Sequence, residues 1–383
     1  MADLWFGHFA ADLAQGALPA VLVFLRPLLH LSYTKTAVVV LVAAVTSSIA
    51  QPLFGRWSDR RTMTWLMPAA VAVSAVGIAL TSFSHDYLLL LALVAFSGLG
   101  VGAFHPEAMK LARHASGGRH ASGMAVFQTG GNLGIAVGPV LAGVALAAAG
   151  SRGGLLIVIP GALVATLMIG SFGSLSRVRR DGVERARRVS AVDRPGAFRL
   201  LLVTTGFRSV AYYGLFTFVP LWEVSRGHSK SYGTALLSLV LLCGAIGTLC
   251  AGPLADRFGG KVIIVSSHIL SPVLVITYVL VGGVIGVVAV CLAGAVIVST
   301  FSVTTVLGQE YLPTRIAMAS GITVGLAMGL GGIAAVALGA IADSVDLRAA
   351  LLATAAIPAF GALAAIWLPR EHRTMTKPIL AAE

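Results

Sequence analysis

The sequence predicts an all-α membrane protein with twelve transmembrane helices, on the evidence of its composition and its long apolar runs. The 383 residues are 57% hydrophobic and only 11% charged, whereas about 25% of the residues in a soluble domain are charged. The apolar runs are unbroken, unlike the alternating segments of about ten residues that build a membrane barrel. Because backbone polar groups in lipid must be satisfied within their own segment, these runs are expected to be helices. A soluble enzyme, a secreted disulfide scaffold and a disordered chain are excluded.

Twelve apolar stretches reach the roughly 20 residues that span a bilayer. They lie near 4–29, 35–54, 65–84, 87–111, 120–148, 153–174, 197–224, 231–254, 262–282, 284–312, 316–341 and 347–368. A polar stretch with eight arginines separates the first six from the last six. We therefore predict an N-terminal six-helix bundle over 1–175, a basic cytoplasmic linker over 176–199, and a C-terminal six-helix bundle with a short cytoplasmic tail over 200–383.

The distribution of Lys and Arg orients these helices. If both termini are cytoplasmic, 20 of the 27 Lys and Arg residues fall in cytoplasmic segments, as the positive-inside rule requires. The net charge of +12 is then a consequence of topology and of contact with anionic lipid headgroups. Nucleic-acid binding is not needed to explain it.

The two halves repeat one another. Ala121-Ser122-Gly123 recurs 198 residues later as Ala319-Ser320-Gly321, and Gly55-x-x-x-Asp59-Arg60 recurs 197 residues later as Gly252-x-x-x-Asp256-Arg257. Parallel six-helix repeats are typical of one large class of transporters, in which the substrate binds between the halves near the bilayer midplane.

The two Gly-x-x-x-Asp-Arg stretches resemble the signature loop of the major facilitator superfamily. That resemblance implies a gating role, in which the loops join the halves on the cytoplasmic side, for Gly55, Asp59, Arg60, Gly252, Asp256 and Arg257. An ordinary basic turn is the alternative interpretation. The first copy lacks the later glycine of the signature, so we expect its latch to be the weaker one.

Further stretches narrow the resemblance. Helix five carries small residues at spacings of four through Gly138-Pro139, which resembles the glycine-proline motif of antiporters in this superfamily, although such spacing also serves generic helix packing. The segments 8–19, 100–108, 127–134 and 309–313, above all Phe104-His105-Pro106-Glu107, resemble the fosmidomycin-resistance branch. The branch implies a proton-driven exporter of drugs or small metabolites in a bacterial inner membrane, without fixing the substrate.

Ionisable residues inside a membrane are costly and mark candidate functional sites. Spacings of four and three place His8, Asp12 and Gln15 on one face of helix one. His105 and Glu107 on helix four lie at a depth similar to that of Asp12, roughly 9–12 Å from the cytoplasmic side. We predict that Asp12 and Glu107 carry the coupling proton and that His105 tunes them. The alternative is a static buried ion pair, for example between Glu107 and Lys110.

Substrate-binding candidates lie in both halves. Arg208 is near the midplane of helix seven and suits a carboxylate or phosphonate, and Tyr212 lies one turn further on; a structural pair between Arg208 and Glu310 or Glu223 is the alternative. Gln15, Gln128 and Asn132 are further candidates, the last two serving either substrate or neighbouring helices. Gln309 and Glu310 are candidates for gating or for capping helix ten.

These features predict a secondary active transporter: a proton-coupled antiporter that exports a drug or a small organic molecule, an anionic one included, by alternating access. A proton-coupled uptake symporter for a small organic acid is the alternative. No phosphate loop or hydrolase motif is present in the sequence, which argues against an ATP-driven pump and an enzyme. The expected partners are substrate, protons and lipids, without cofactor, metal or nucleic acid; the family implies a monomer. Cys243, Cys250 and Cys291 are predicted to be buried thiols without metal-ligand spacing.

Overall fold

The computed structural model describes residues 1–31, 33–61, 63–173, 175–177 and 192–369. Within them lie twelve α-helices of 13 residues or more, which confirms the predicted fold class. They are α1 (Ala2–Leu28), α2 (Tyr33–Arg60), α3 (Leu66–Thr81), α4 (Tyr87–Ala115), α5 (His120–Ala149), α6 (Val158–Gly170), α7 (Pro195–Ser225), α8 (Lys230–Phe258), α9 (Gly260–Val281), α10 (Gly283–Tyr311), α11 (Ile316–Ser344) and α12 (Leu347–Ile366).

The helices expose the apolar surface that a bilayer requires. Eight helical stretches are long and apolar enough to cross a membrane, and one of them runs from His120 to Gly170 and contains both α5 and α6. Large apolar side chains such as Leu163, Leu167 and Ile285 are more than half exposed. A monomeric soluble protein would not leave so many of them in water. Cys250 is also exposed, and Cys243 and Cys291 are half-buried, so the prediction of buried thiols was wrong: a lipid-facing position accepts a thiol without burial inside the protein.

Two boundaries differ from the sequence prediction. The stretch predicted as the start of helix six is a 3₁₀ helix, Gly150–Ile157. Gly150 adopts a φ of +56°, a conformation that favours glycine, and this turn precedes the straight part of α6. On the other side of the basic segment, α7 begins at Pro195, inside the residues assigned to the linker, because proline is well accommodated in the first turn of a helix. Residues 178–191 of the predicted linker and 370–383 of the tail lie outside the described residues.

Helix α5 packs against α1 without intervening side chains. Alanine-sized side chains at the glycines of α5 would overlap carbonyl oxygens of α1; the facing pairs are Gly130 with Trp5, Gly134 with Phe9, and Gly138 with Leu13. Small residues at spacings of four permit this close approach. The glycines of helix five therefore serve helix packing, and they fix the position of the polar face of α1 against α5.

Two helix pairs join the first six helices to the last six. Helix α2 packs along α11, and α5 packs along α8. The pairing is reciprocal, because α5 and α11 begin with the repeated Ala-Ser-Gly sequence and α2 and α8 end with the repeated Gly-x-x-x-Asp-Arg sequence. The repeat detected in the sequence is thus expressed as two equivalent contacts between the halves.

Candidate functional site

The two repeated aspartates cap helices of the opposite half. Asp59, near the end of α2, accepts hydrogen bonds from the backbone N–H groups of Ala317 (3.1 Å) and Met318 (2.9 Å) in the first turn of α11. Asp256, near the end of α8, accepts them from Ala121 (3.1 Å) and Ser122 (3.0 Å) in the first turn of α5. Each carboxylate meets the partial positive charge of a helix N-terminus, which is stabilising. The predicted latch residues therefore lie at the junction of the halves.

The repeated glycines let these junctions close. A Cβ on Gly55 would lie 2.7 Å from the carbonyl oxygen of Ala317, and one on Gly252 would lie 2.9 Å from Cα of Ser122. The arginines that follow the aspartates are different, because Arg60 and Arg257 are exposed. Their gating role stays a prediction.

Gln309 joins α10 to α11 in its own half and to α4 in the other half. It lies near the junction made by Asp59, which we call the first latch; the junction made by Asp256 is the second. It is fully buried and donates to Oγ of Ser320 (2.9 Å) on α11 and to the carbonyl oxygen of Met109 (3.4 Å) on α4. Its own carbonyl oxygen accepts a hydrogen bond from Arg113 (3.3 Å). These bonds agree with the predicted gating position. Glu310 beside it is half-buried.

Asp12 lies between two histidines in the interior of the first six helices. Its Oδ2 atom lies 3.2 Å from Nε2 of His8, one turn earlier on α1, and its Oδ1 atom lies 3.3 Å from Nε2 of His105 on α4. All three side chains are buried. The structure thus brings Asp12 and His105 together as predicted and adds His8 to them. We call these three residues the His-Asp cluster.

The outer nitrogens of both imidazoles are fixed by backbone carbonyls. Nδ1 of His8 lies 3.0 Å from the carbonyl oxygen of Phe127, and Nδ1 of His105 lies 2.7 Å from that of Val101. Because a carbonyl oxygen only accepts hydrogen bonds, we assign a proton to each Nδ1. In a neutral imidazole the lone pair of Nε2 then faces the carboxylate of Asp12, and a proton is needed to make that contact attractive. The cluster has two such contacts.

The ligand atoms of the His-Asp cluster lie within 4.8 Å of one another, a spacing that also suits a small metal ion. The absence of a metal stays a prediction, and a chelator control tests it in the experiments below.

Glu107 does not join the His-Asp cluster. Its carboxylate accepts a hydrogen bond from Ser58 and lies 3.9 Å from Nζ of Lys110. Lys110 in turn donates to the carbonyl oxygen of Ser58 (2.8 Å) and lies 3.6 Å from Asp59 of the first latch. His105 and Glu107 are two residues apart, and side chains at that spacing do not share a helix face. The structure thus favours the ion-pair alternative for Glu107.

Arg208 is a buried cation in the second half. It is 2% exposed, and its guanidinium lies 3.6 Å above the ring of Phe301 on α10. Among the described residues, neither Nε nor Nη1 has a hydrogen-bond partner. One of the carboxylates considered as its structural partner, Glu223, instead accepts a hydrogen bond from Tyr278 (2.7 Å) and contacts His228 (2.8 Å). Buried polar groups normally find partners, so Arg208 is suited to an anionic ligand.

The other substrate-binding candidates have different surroundings. Tyr212 is half-buried, and its ring meets that of Phe301 edge-on at a centroid distance of 5.2 Å. Gln15 is half-buried and lines a crevice among α1, α2, α3 and α4. Gln128 is buried on α5. Asn132 donates to Oγ1 of Thr248 (3.2 Å) on α8, so it contacts a neighbouring helix, the alternative that the sequence left open.

Sequence reasoning did not assign roles to Phe301, Gly131 or His8. A Cβ on Gly131 would lie 2.5 Å from Oδ2 of Asp12, which makes this glycine part of the wall of the cluster. The spacing of four between His8 and Asp12 was a usable signal for His8. The contact of Phe301 with Arg208 depends on tertiary packing and left no local signal.

The helical fold, its apolar surface and its buried polar residues define a membrane transporter. The sequence model of the Major Facilitator Superfamily matches residues 4–336, and the chain belongs to this family. Its members are transporters and not enzymes.

Two relatives match along most of their length. The MFS-type transporter YfnC of Bacillus subtilis is 32% identical over 381 residues, covering 96% of this chain and 91% of the relative. The fosmidomycin resistance protein of Escherichia coli is 30% identical over 375 residues, covering 94% and 90%. The resemblance to the fosmidomycin-resistance branch is thereby confirmed.

A solved structure shows the same fold. The crystal structure of the E. coli fucose:proton symporter FucP superposes with a TM-score of 0.71 and 16% identity, over 97% of this chain and 98% of that one. This likeness supports the twelve-helix arrangement alone.

Proposed function

We propose that the chain is a proton-coupled antiporter that exports a drug or a small organic molecule, by alternating access, across a bacterial inner membrane. The observation that carries this proposal is the His-Asp cluster, in which a carboxylate and two imidazoles are in contact inside the membrane-spanning fold. Ionisable groups at such a place are energetically costly, and they mark ion or substrate pathways.

Proton binding changes the charge of the cluster. Without a proton on either Nε2–carboxylate contact, the cluster carries the single negative charge of Asp12; with one proton it is neutral, and with both contacts protonated it is positive. Burial makes such changes in charge energetically significant. We propose that protons enter the cluster from outside, are released to the cytoplasm, and exchange for substrate in each cycle.

The substrate anchor in this proposal is Arg208. Arg208 belongs to the second half and the His-Asp cluster to the first, and Tyr212 and Tyr213 are within electrostatic reach of both Arg208 and Asp12. Because both groups are buried, where charges are weakly screened, we propose that the charge of the cluster and the occupancy of Arg208 influence each other. Closure of the Asp59 and Asp256 latches holds the cytoplasmic ends of the halves together, and their release would open the site to the cytoplasm.

The sequence favours export as the direction of transport. The E. coli relative is named for fosmidomycin resistance, and the glycine-proline pattern of α5 resembles that of antiporters. Both favour export over the alternative, uptake of an organic acid with protons. The excess of Lys and Arg in the predicted cytoplasmic segments supports an orientation with both termini in the cytoplasm. We further propose a monomer that contacts lipid, needs no cofactor and binds no nucleic acid.

Fosmidomycin is the first compound with which to test this proposal. The experiment uses everted membrane vesicles with an acidic interior. If the protein is an exporter, the vesicles lose part of their pH gradient when fosmidomycin is added, and a dye that reports internal pH records the loss. Fosmidomycin is also added to right-side-out vesicles with an acidic interior. There an uptake symporter would move protons inward together with the substrate. The proposal predicts proton efflux from everted vesicles against substrate influx, and a proton flux in the same direction as the substrate would contradict it.

A further inference from the structure

The buried guanidinium of Arg208 lies beside an aromatic surface. Phe301 covers one face of the guanidinium at 3.6 Å. Tyr212, one turn along α7, meets the Phe301 ring edge-on at a centroid distance of 5.2 Å, and it lies nearly parallel to Phe216 at 6.1 Å. Phe301 therefore contacts the unsatisfied cation, and Tyr212 and Phe216 extend the aromatic surface from it along α7.

An apolar crevice continues this surface. It lies among α7, α8 and α10, and its walls include Tyr212, Phe216, Leu237, Leu241, Ile297 and Val298. Tyr212, Phe216 and Leu237 are half-buried, as expected of side chains that border a cavity. The crevice has a free volume of about 10 Å³, room for about one water molecule. Its side chains must therefore move apart to admit an apolar body, whose contact with the aliphatic and aromatic walls is then favourable.

The charge of the site sets the charge of the ligand. Among the described residues, Lys110 is the other buried Lys or Arg, and it is held by Ser58 and Asp59 in the first latch. Arg208 lies one turn before Tyr212, which forms part of the wall of this crevice. One guanidinium balances one negative charge, and its planar N–H groups match a carboxylate.

We propose that this site takes an organic monoanion with an aromatic body, that is, an aromatic carboxylate. The carboxylate lies on Arg208 and the ring lies against Tyr212 and Phe216. This inference rests on the proposed role of Arg208 as substrate anchor and names the substrate class of that site.

Binding to the purified full-length protein tests the class. The probes are benzoate, benzamide, acetate and inorganic phosphate, each followed by isothermal titration calorimetry in detergent. A charge-assisted hydrogen bond predicts that benzoate binds about tenfold or more tighter than benzamide. Contact with aromatic rings predicts that benzoate binds about three- to tenfold tighter than acetate. Arg208→Gln is expected to remove benzoate binding.

Phe216→Leu is expected to reduce the preference for benzoate over acetate about threefold or more, whereas Phe360→Leu, at a lipid-facing position of α12 that is 60% exposed, leaves it unchanged. Equal binding of benzoate, acetate and phosphate would overturn the aromatic class while leaving Arg208 as an anion site. If benzamide bound as tightly as benzoate, and if benzoate binding were retained in Arg208→Gln, the role of Arg208 as anchor would also be overturned. Absence of binding by all four probes would overturn the inference. Proton exchange is measured separately with the pH-sensitive dye, with benzoate as well as fosmidomycin as the added compound, because fosmidomycin is a phosphonate without an aromatic ring. A failure of antiport is thereby distinguished from a failure of this site.

Discussion

Oδ1 of Asp12 on α1 lies 3.3 Å from Nε2 of His105 on α4, and the opposite nitrogen of the same imidazole is held by a backbone carbonyl at 2.7 Å. The orientation of the ring is thus fixed, and a proton between the two side chains determines whether their contact is attractive. The same relationship recurs between Asp12 and His8. These paired contacts are the physical basis for assigning proton coupling to this region.

Gly131→Ala is predicted to abolish coupled transport without removing any ionisable group. A Cβ at this position would lie 2.4 Å from Nε2 of His8 and 2.5 Å from Oδ2 of Asp12, so the contact between these two side chains must rearrange. Gly143→Ala on the same helix is the matched control, because a Cβ there meets no atom within 4 Å. Transport by both variants is measured in proteoliposomes with an imposed pH gradient. Full activity of Gly131→Ala would show that the geometry of the cluster is not required.

Replacement of either cluster histidine is predicted to lower the number of protons exchanged per substrate. Each histidine offers one Nε2–carboxylate contact, so His8→Gln or His105→Gln leaves a single proton-binding contact. The measurement is the substrate gradient that just balances a known pH gradient, which gives the stoichiometry directly. His85→Gln, at an exposed position between α3 and α4, is the control. An unchanged stoichiometry in both cluster variants would exclude a role for the histidines in binding the coupling protons. Repeating the wild-type measurement with a chelator present checks that no metal ion contributes.

Glu107→Gln is predicted to lower stability while retaining the pH-driven transport that Asp12 supports. The carboxylate lies with Ser58 and Lys110 beside the first latch. Its removal leaves the buried positive charge of Lys110 with one fewer negative partner. Because Lys110 keeps Asp59 and the Ser58 carbonyl, a loss of about 1–3 kcal/mol is expected. Thermal unfolding in detergent measures it. A stable Glu107→Gln protein that has lost proton coupling would contradict this prediction and show that Glu107 takes part in coupling.

Loss of a latch aspartate is predicted to open the cytoplasmic side. Asp59→Ala removes two hydrogen bonds to the start of α11, and Asp256→Ala removes three at the start of α5, including one from the Ser122 hydroxyl. We expect a longer distance between spin labels at Arg56 and Phe258, at the latch ends of α2 and α8, with the larger shift for Asp256→Ala. Asp346→Ala, which removes only a local cap of α12, should leave the distance unchanged. A distance unaffected by either latch variant would contradict the gating role.

The sequence predicted the fold and the latch positions because both leave regular signals. Helix lengths follow from apolar runs, and the Gly-x-x-x-Asp-Arg repeat identified Asp59 and Asp256. Which helix each aspartate caps depends on packing between the halves, and only the structure shows it. The grouping of Asp12 with His105 followed from their similar depth in the membrane. The prediction that Glu107 joins them was made without regard to the helix angle between His105 and Glu107, which are two residues apart and face different directions.

The unsatisfied state of Arg208 could not be predicted, because a mid-membrane arginine is compatible with several carboxylates at similar depth. The structure shows Glu223 bound to Tyr278 and His228 instead. Likewise, the contact between Asn132 and Thr248 joins residues 116 positions apart, and it depends on how α5 meets α8.

The most direct test of the central claim compares Asp12→Asn with Asp86→Asn in proteoliposomes loaded with a transported compound. Asp86 is an aspartate that caps α4 by accepting a hydrogen bond from the N–H of Leu89, so it controls for loss of a carboxylate. Accumulation driven by an imposed pH gradient and exchange of labelled for unlabelled substrate without a gradient are measured side by side. The account predicts that Asp12→Asn loses gradient-driven accumulation and keeps exchange, while Asp86→Asn keeps both. Full gradient-driven accumulation by Asp12→Asn would contradict it.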